Sequence, residues 1–436
     1  MRRRRSLLAA AAAVLAVWAG ARPAPLRAEE LKRSALDNGL AVISQRDTAS
    51  TLTVLEILIR GGQTAEPAGK AGLSYLTTRL AVDIPDQDKV QDFMAKALHY
   101  SVSAKADYSV IHLECLSEFF DDAAAAFVEI LSDPLFTGVR IDRLKEFMDN
   151  QRRLTADDAD NAGHAAHLEA FFGNSAYGHS VFGTDDSLKA IKAVDIKDFY
   201  GRYFVPGNMT LVAVSDLDES RLAAVLRKRF GGFRKGAPPA PLPPPVSAPA
   251  NVFSGARDIA KDSLQTLVSA AFALPPLSSR TFILNAVVEN TLGRGPGTRL
   301  WSLRAELKLA YAVAARATQM KSGGILESTL ETEPAKGEEA RIALDQALRD
   351  FAARGLTPDE LEAARAEVKA QLLRGNERKD ARAATLGTLE MLGLGAAFFE
   401  AFPAELGGVT LEEINAYIKD ILAPDRASWV RIGPKR

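Results

Sequence analysis

Residues 68–83 read AGKAGLSYLTTRLAVD. Gly69 and Gly72 mark a turn, after which Ala71, Leu73, Leu76, Leu80 and Val82 recur at roughly helical spacing, so the segment is expected to form an amphipathic helix. Its polar positions carry Tyr75, Thr78 and Arg79. What those three residues do depends on the segments that flank the helix.

The chain of 436 residues is 47% hydrophobic, and at about 150 residues per domain it has material for two to three cores. Its net charge of -1 lacks the basic excess that a nucleic-acid partner would require. Residues 1–28 combine four arginines, an apolar run from Leu7 to Ala21 and small residues around Ala21 and Ala28, the pattern of a secretory signal peptide. The apolar run falls short of the roughly 20 residues that span a bilayer, so export to the periplasm is expected. Arg4-Arg5-Ser6-Leu7-Leu8 also loosely suits a twin-arginine signal. Cys115 is the only cysteine, so no internal disulfide can form in that oxidising compartment. Its setting, VIHLECL, reads as a half-buried strand.

Proline density in GAPPAPLPPPVSAPA, residues 236–250, excludes helix and central strand and reads as an extended linker. It separates residues 29–235 from residues 251–436, two parts of ordinary domain size. VDIKDFYGRYFVPGNMTLVAV from Val194 and VTLEEINAYIKDILAPDRASWVRI from Val409 repeat an acidic helix, a proline and an apolar strand half a chain apart, which indicates duplication. Within each part, strand-like runs such as TLTVLEILIR and GGILESTLE alternate with helical stretches. One of these is TPDELEAARAEVKAQLLRG, with Thr357 as N-cap, Pro358 in the first turn and Glu360 completing a capping box. The expected class is α+β: two homologous domains, each a mainly antiparallel sheet with helices on one face.

Several segments then fall into a recognisable order: LDNGLAVI at Leu36, IRGGQTAEPAGKAGLSYLTTRL at Ile59, YGHSVFGTDDSLKAI at Tyr177, GRGPGTRLWSLRAELKLAYAV at Gly293 and GLTPDELEAARAEVKAQLL at Gly355. As an ordered set they resemble the pitrilysin/insulinase family of inverted-motif zinc peptidases, above all its short members related to the mitochondrial processing peptidase. In active members the helix has the form G-L-x-H-x-x-E-H, with two histidines on zinc and the glutamate as general base. Here the frame reads Gly72-Leu73-Ser74-Tyr75-Leu76-Thr77-Thr78-Arg79. Tyr75 and Arg79 stand at the histidine positions, Thr78 at the base, and Gln151 nearest the third ligand, a glutamate in the family. A phenol and a guanidinium are poor zinc ligands and threonine is no carboxylate base, so no metal is expected in this chain.

The family's other functional element is an arginine and a tyrosine seven residues apart, and RAELKLAY supplies them as Arg304 and Tyr311. Arg299, in the glycine-rich lead, is also family-like. The resemblance implies that Arg304 binds a substrate carbonyl and Tyr311 stabilises the oxyanion of peptide hydrolysis, both in trans, at the zinc site of a facing H-x-x-E-H subunit that closes with this one around an unfolded peptide. The expected function is therefore the zinc-less subunit of a heterodimeric periplasmic peptidase, inactive alone. Two alternatives stand beside it. One is an inert scaffold of the same fold; the other is a free-standing peptidase with a metal on His164 and His167, which otherwise read as solvated helix histidines. His179 fits a turn kept for shape, and His99 and His112 suggest no partner.

Overall fold

The computed structural model describes residues 30–84, 87–234, 236–240, 256–293 and 295–435. The signal-peptide segment and residues 241–250 of the proline-rich stretch lie outside these. Eleven strands are described: β1 (Lys32–Ala35), β2 (Ala41–Arg46), β3 (Leu52–Arg60), β4 (His99–Ala104), β5 (Tyr108–Leu116), β6 (Met209–Ser215), β7 (Ala256–Ala260), β8 (Thr266–Leu274), β9 (Ala312–Met320), β10 (Gly323–Thr332) and β11 (Ser428–Gly433). The helices that matter below are α1 (Leu73–Ala81), α2 (Gly138–Asp157), α3 (Ala159–Phe172), α4 (Ser279–Leu292), α5 (Trp301–Ala305), α6 (Pro358–Gly375) and α7 (Lys379–Met391).

The strands form two sheets, ordered β1-β2-β6-β3-β5-β4 and β7-β11-β8-β10-β9. Without the edge strand β1 the two orders are the same: the last strand of each half lies between the first and the second. It runs parallel to the first and antiparallel to the second. The mixed α+β class expected from the sequence is thus present, with one topology used twice. The capping box at Thr357 is also present. The Thr357 hydroxyl accepts from the Glu360 amide at 3.3 Å, and the Thr357 amide donates to the Glu360 carboxylate at 2.8 Å.

In a half-solvated strand only alternate residues are apolar, but nearly every residue of β3, LTVLEILIR, is buried, so both faces of the sheet are covered. Leu55, Ile57 and Ile59 face the helices of their own half, including α1 and residues 120–132, 193–203 and 219–230. Val54 and Leu58, with Val212 and Val214, face Ala383, Leu386 and Met391 of α7, which belongs to the other half. The second sheet does the reverse. Val268, Ala270 and Phe272 pack on its own helices, while Leu267, Ala271, Ile325 and Ile432 pack on Ala166, Phe171 and Phe172 of α3. Each half therefore lends one helix to the back of the other's sheet. The helices on one face expected from sequence are joined by this exchanged helix on the second.

A glycine sits at the crossing on each exchanged helix. A Cβ on Gly387 would lie 2.9 Å from the Leu58 side chain, and one on Gly163 3.3 Å from that of Leu267; the missing side chain allows the helix axis to approach the sheet. Polar ties fix the register of the exchange. Lys379 Nζ donates to the carbonyls of Ser50 and Leu52 at 2.7 Å each, and the hydroxyls of Tyr108 and Thr388 are 2.9 Å apart. On the other side His167, fully buried, hydrogen-bonds Ser428 Oγ through Nδ1 at 2.9 Å and Ser269 Oγ through Nε2 at 2.8 Å. His164 Nδ1 lies 2.7 Å from Glu327 Oε2. The expectation of two solvated helix histidines is thus corrected: the face of α3 that carries them is the one laid on the second sheet.

Candidate functional site

Helix α1 forms because Leu73, Leu76 and Leu80, all almost fully buried, recur along the face turned to the first sheet; each contributes about 1.5–3 kcal/mol by burial. Its N-terminus is built without a capping side chain at the cap position, where Gly72 adopts the left-handed conformation (φ 91°). A Cβ there would fall 3.0 Å from both the Gly183 nitrogen and Met148 Cε of α2, so the glycine before the motif is required by packing. The cap comes from six residues upstream. Glu66 accepts from the Gly72 amide at 3.1 Å, from the Ser74 amide at 2.8 Å and from the Ser74 hydroxyl at 2.6 Å, placing an acid at the positive end of the helix dipole. Burial pushes the Glu66 carboxyl up to about 7, against the opposing pull of those hydrogen bonds.

The sequence pattern put Tyr75, Thr78 and Arg79 on a polar face, but the structure buries two of them. Tyr75 is 8% exposed and meets Phe182 edge to face at 5.0 Å; burial raises its phenol above the ordinary range. Thr78 is fully buried, its hydroxyl donating to the Ser74 carbonyl at 2.7 Å. Arg79 lies over the Tyr100 ring at 5.6 Å, with Nη1 3.8 Å from Asp83 Oδ1. Asp83 in turn receives Arg140 at 2.9 Å and Arg143 at 2.8 Å, both from α2. Gln151 is carried by the same helix, half-buried.

These residues fail as a zinc site on their own chemistry. Where a cation would sit, the frame presents a guanidinium, and Thr78, at the base position, spends its hydroxyl on its own helix. Among the described residues no group of three or more His, Cys, Asp or Glu side chains is arranged to hold a metal. Both ring nitrogens of His167 are occupied by serine hydroxyls and burial pushes its pKa down to about 4, so His164 and His167 make no metal dyad. His179 holds no metal either: the Gln63 amide donates to its carbonyl at 2.7 Å, tying the 173–184 turn to residues 63–65. Sequence reasoning missed Glu66 and Asp83. The one available signal was an acid placed just before and just after the helix.

The second element lies in the other half. After the short helix α5 the chain turns through Lys308, a non-glycine residue at positive φ (55°), and enters β9. Leu303, Leu309 and Ala310 are buried and anchor the turn. Arg304 and Tyr311 bracket it and point outward. Arg304 is exposed, its guanidinium over the Trp301 ring at 4.9 Å. Tyr311 is 50% exposed, its hydroxyl 3.3 Å from Glu333 Oε1. Arg299, by contrast, is a brace: it donates to the Gly355 carbonyl at 2.9 Å and to Glu360 at 2.8 Å, and its guanidinium lies over Phe351. Cys115 is a buried residue of β5 whose thiol burial pushes up to about 12, which makes it unreactive.

Comparison with known proteins agrees with this geometry. Residues 190–368 match the family model described as the peptidase M16 inactive domain. The chain is 22% identical over 413 residues to a protein of Helicobacter pylori named as a non-peptidase homolog, covering 93% of this chain and 94% of that one. It is 22% identical over 401 residues to an uncharacterized zinc protease of Mycobacterium leprae, covering 89% of each. The crystal structure of a peptidase M16 inactive domain from Pseudomonas fluorescens superposes with a TM-score of 0.83 at 21% identity, covering 94% of this chain and 98% of that chain. The chain is thus similar to M16 peptidases and their non-peptidase homologs, with the inactive-domain match over residues 190–368, the pitrilysin/insulinase class that its motifs resemble.

Proposed function

We propose that this chain is the zinc-less half of a two-chain periplasmic peptidase, and that it lends Arg304 and Tyr311 to the metal site of a homologous H-x-x-E-H partner. One observation carries the reading. The residues at the H-x-x-E-H positions are absorbed into packing, whereas Arg304 and Tyr311 stay exposed with one side-chain neighbour each, Trp301 and Glu333, where a second chain can meet them. Zinc belongs to the partner in this reading, and Tyr75, Thr78, Arg79 and Gln151 take no part in the chemistry. Arg304 offers several N–H donors to a carbonyl of an extended, unfolded peptide. The Tyr311 phenol donates to the oxygen on which charge develops as the scissile carbonyl becomes tetrahedral. Periplasmic location rests on the signal-like pattern of residues 1–28, and the division into two domains at residues 236–250 rests on the proline-rich stretch.

The test is peptide hydrolysis by the purified mature chain, alone and mixed with the H-x-x-E-H relative of the same organism, for wild type, Arg304→Ala and Tyr311→Phe. Activity only in the mixture, lowered at least tenfold by either substitution with the complex intact, is the expected result. A mixture no more active than the relative alone, or substitutions without effect, would establish the second reading, an inert scaffold. The name of the Helicobacter pylori relative, a non-peptidase homolog, favours that one.

A further inference from the structure

On the back of the first sheet, beside the exchanged helix α7, is a cavity of about 410 Å³. Its floor is the row Glu56, His112 and Ser101, paired across β3, β5 and β4; its roof is Asp380, Ala381 and Ala384 of α7. Glu56 is 2% exposed. One of its oxygens, Oε1, meets His112 Nδ1 at 2.9 Å. The other, Oε2, is buried with no hydrogen-bond partner.

The second sheet shows how this fold satisfies such a group. Glu327 of β10 is 1% exposed and also lies beneath the exchanged helix of the other half. Its Oε2 receives Arg316 Nη2 at 3.1 Å and Nε at 3.2 Å, and lies 2.7 Å from His164 Nδ1. The cationic side chain that meets Glu327 comes from the edge strand β9, and a histidine descends from the helix above. In the first half the edge strand β4 lines the cavity with His99, Ser101 and Ser103, and the helix with Asp380, Ala381, Ala384 and Thr388, and none of these hydrogen-bonds Glu56 Oε2. Glu56 Oε2 thus lacks the kind of cationic partner that Arg316 gives Glu327.

An ionised carboxylate accepts hydrogen bonds and cannot donate them, so the missing partner is a donor, and a charge-assisted one is favoured in a partly desolvated pocket. We propose that this cavity binds a cationic donor group, a guanidinium or an ammonium, on Glu56 Oε2, in the manner of Arg316 on Glu327. Of the other groups lining the cavity that can carry charge, Asp380 is held by Arg378 at 2.7 Å, and Lys105 and His99 are not hydrogen-bonded to Glu56 Oε2. His112 is committed to Glu56: burial opposes its charge, but Glu56, Glu114 and Asp380 together raise its pKa. The ligand is a free small cation or a basic side chain presented by a polypeptide. This site is separate from Arg304 and Tyr311 and does not depend on the peptidase reading.

The test is titration of the full mature chain with methylguanidinium and putrescine as free cations, and with N-acetyl-Ala-Arg-Ala-amide as a peptide-borne one, following the His112 ring signals by NMR. The expected result is a saturable shift with at least one probe; the stronger of the free and peptide arms identifies the source. Glu56→Gln is expected to weaken binding at least tenfold. Ala384→Arg, a change at an exposed position that supplies the guanidinium from within, is expected to abolish it and to raise the melting temperature. Absence of any saturable shift in the wild type, or binding unchanged in folded Ala384→Arg, would overturn the proposal.

Discussion

Helix α1 and the 304–311 segment are the two places where the M16 resemblance concentrates, and the fold treats them in opposite ways. In α1 the side chains at the positions where the resembling peptidases carry H-x-x-E-H have structural partners: Tyr75 a phenylalanine, Thr78 its own backbone, Arg79 a tyrosine face and an aspartate shared with two more arginines. In the 304–311 segment the packing is done by Leu303, Leu309 and Ala310, and the two polar residues are left with solvent and one neighbour each. Side chains with no metal to bind can be absorbed into packing. Under the proposed function, Arg304 and Tyr311 have to stay out of their own core to meet a second chain.

Restoring the motif is the severest test of this contrast. The triple change Tyr75→His, Thr78→Glu and Arg79→His should destabilise the chain by about 3 kcal/mol or more, because the introduced glutamate would be a carboxylate without a partner in a fully buried place. The protein should also bind no stoichiometric zinc, since Gln151 still occupies the third position; thermal melts and metal analysis read the two effects. Asp83→Asn comes next. It leaves Arg79, Arg140 and Arg143 facing a neutral group, and denaturant titration should register a loss of about 2 kcal/mol. In the second region, Tyr311→Phe should leave the denaturation midpoint unchanged while lowering partner-dependent hydrolysis at least tenfold, about 1.4 kcal/mol of barrier. A large shift in midpoint with unchanged hydrolysis would reverse the assignment of the two regions.

The smallest net effect is on pH. Burial raises Glu66 from an ordinary 4.5 to about 7, so the folded state holds a proton that the unfolded state releases. Its contribution to stability is present below about pH 4.5 and is lost as pH rises to about 7. Burial lowers His167 from 6.5 to about 4, so the unfolded state binds the extra proton, and its contribution is present above about pH 6.5 and lost as pH falls toward 4. The two slopes oppose one another between about pH 4.5 and 6.5, and the wild-type melting temperature should change little there. Glu66→Gln should expose a rise with pH and His167→Asn a fall. Two variants with the same profile would show that neither group is buried as described.

Much of the architecture is written in local patterns. The strand periodicity of TLTVLEILIR and MTLVAVS, the capping box at Thr357 and the repeated helix-proline-strand ends depend on residues near one another in the chain, and so does the order of motifs that marks the family. The departure of Tyr75, Thr78 and Arg79 from the H-x-x-E-H frame is equally plain, because ligand chemistry resides in the side chain itself. Which polar groups face inward is set by tertiary contacts alone. His164 and His167 look like surface residues on a helix until α3 is laid on the second sheet. Glu66 looks like a loop acid until the start of α1 folds onto it, Asp83 until the arginines of α2 reach it, and Glu56 and His112 acquire a cavity only because α7 crosses from the other half. Burial and hydrogen-bond partners are properties of segments that meet in space, and nothing in the local periodicity of either segment encodes the other.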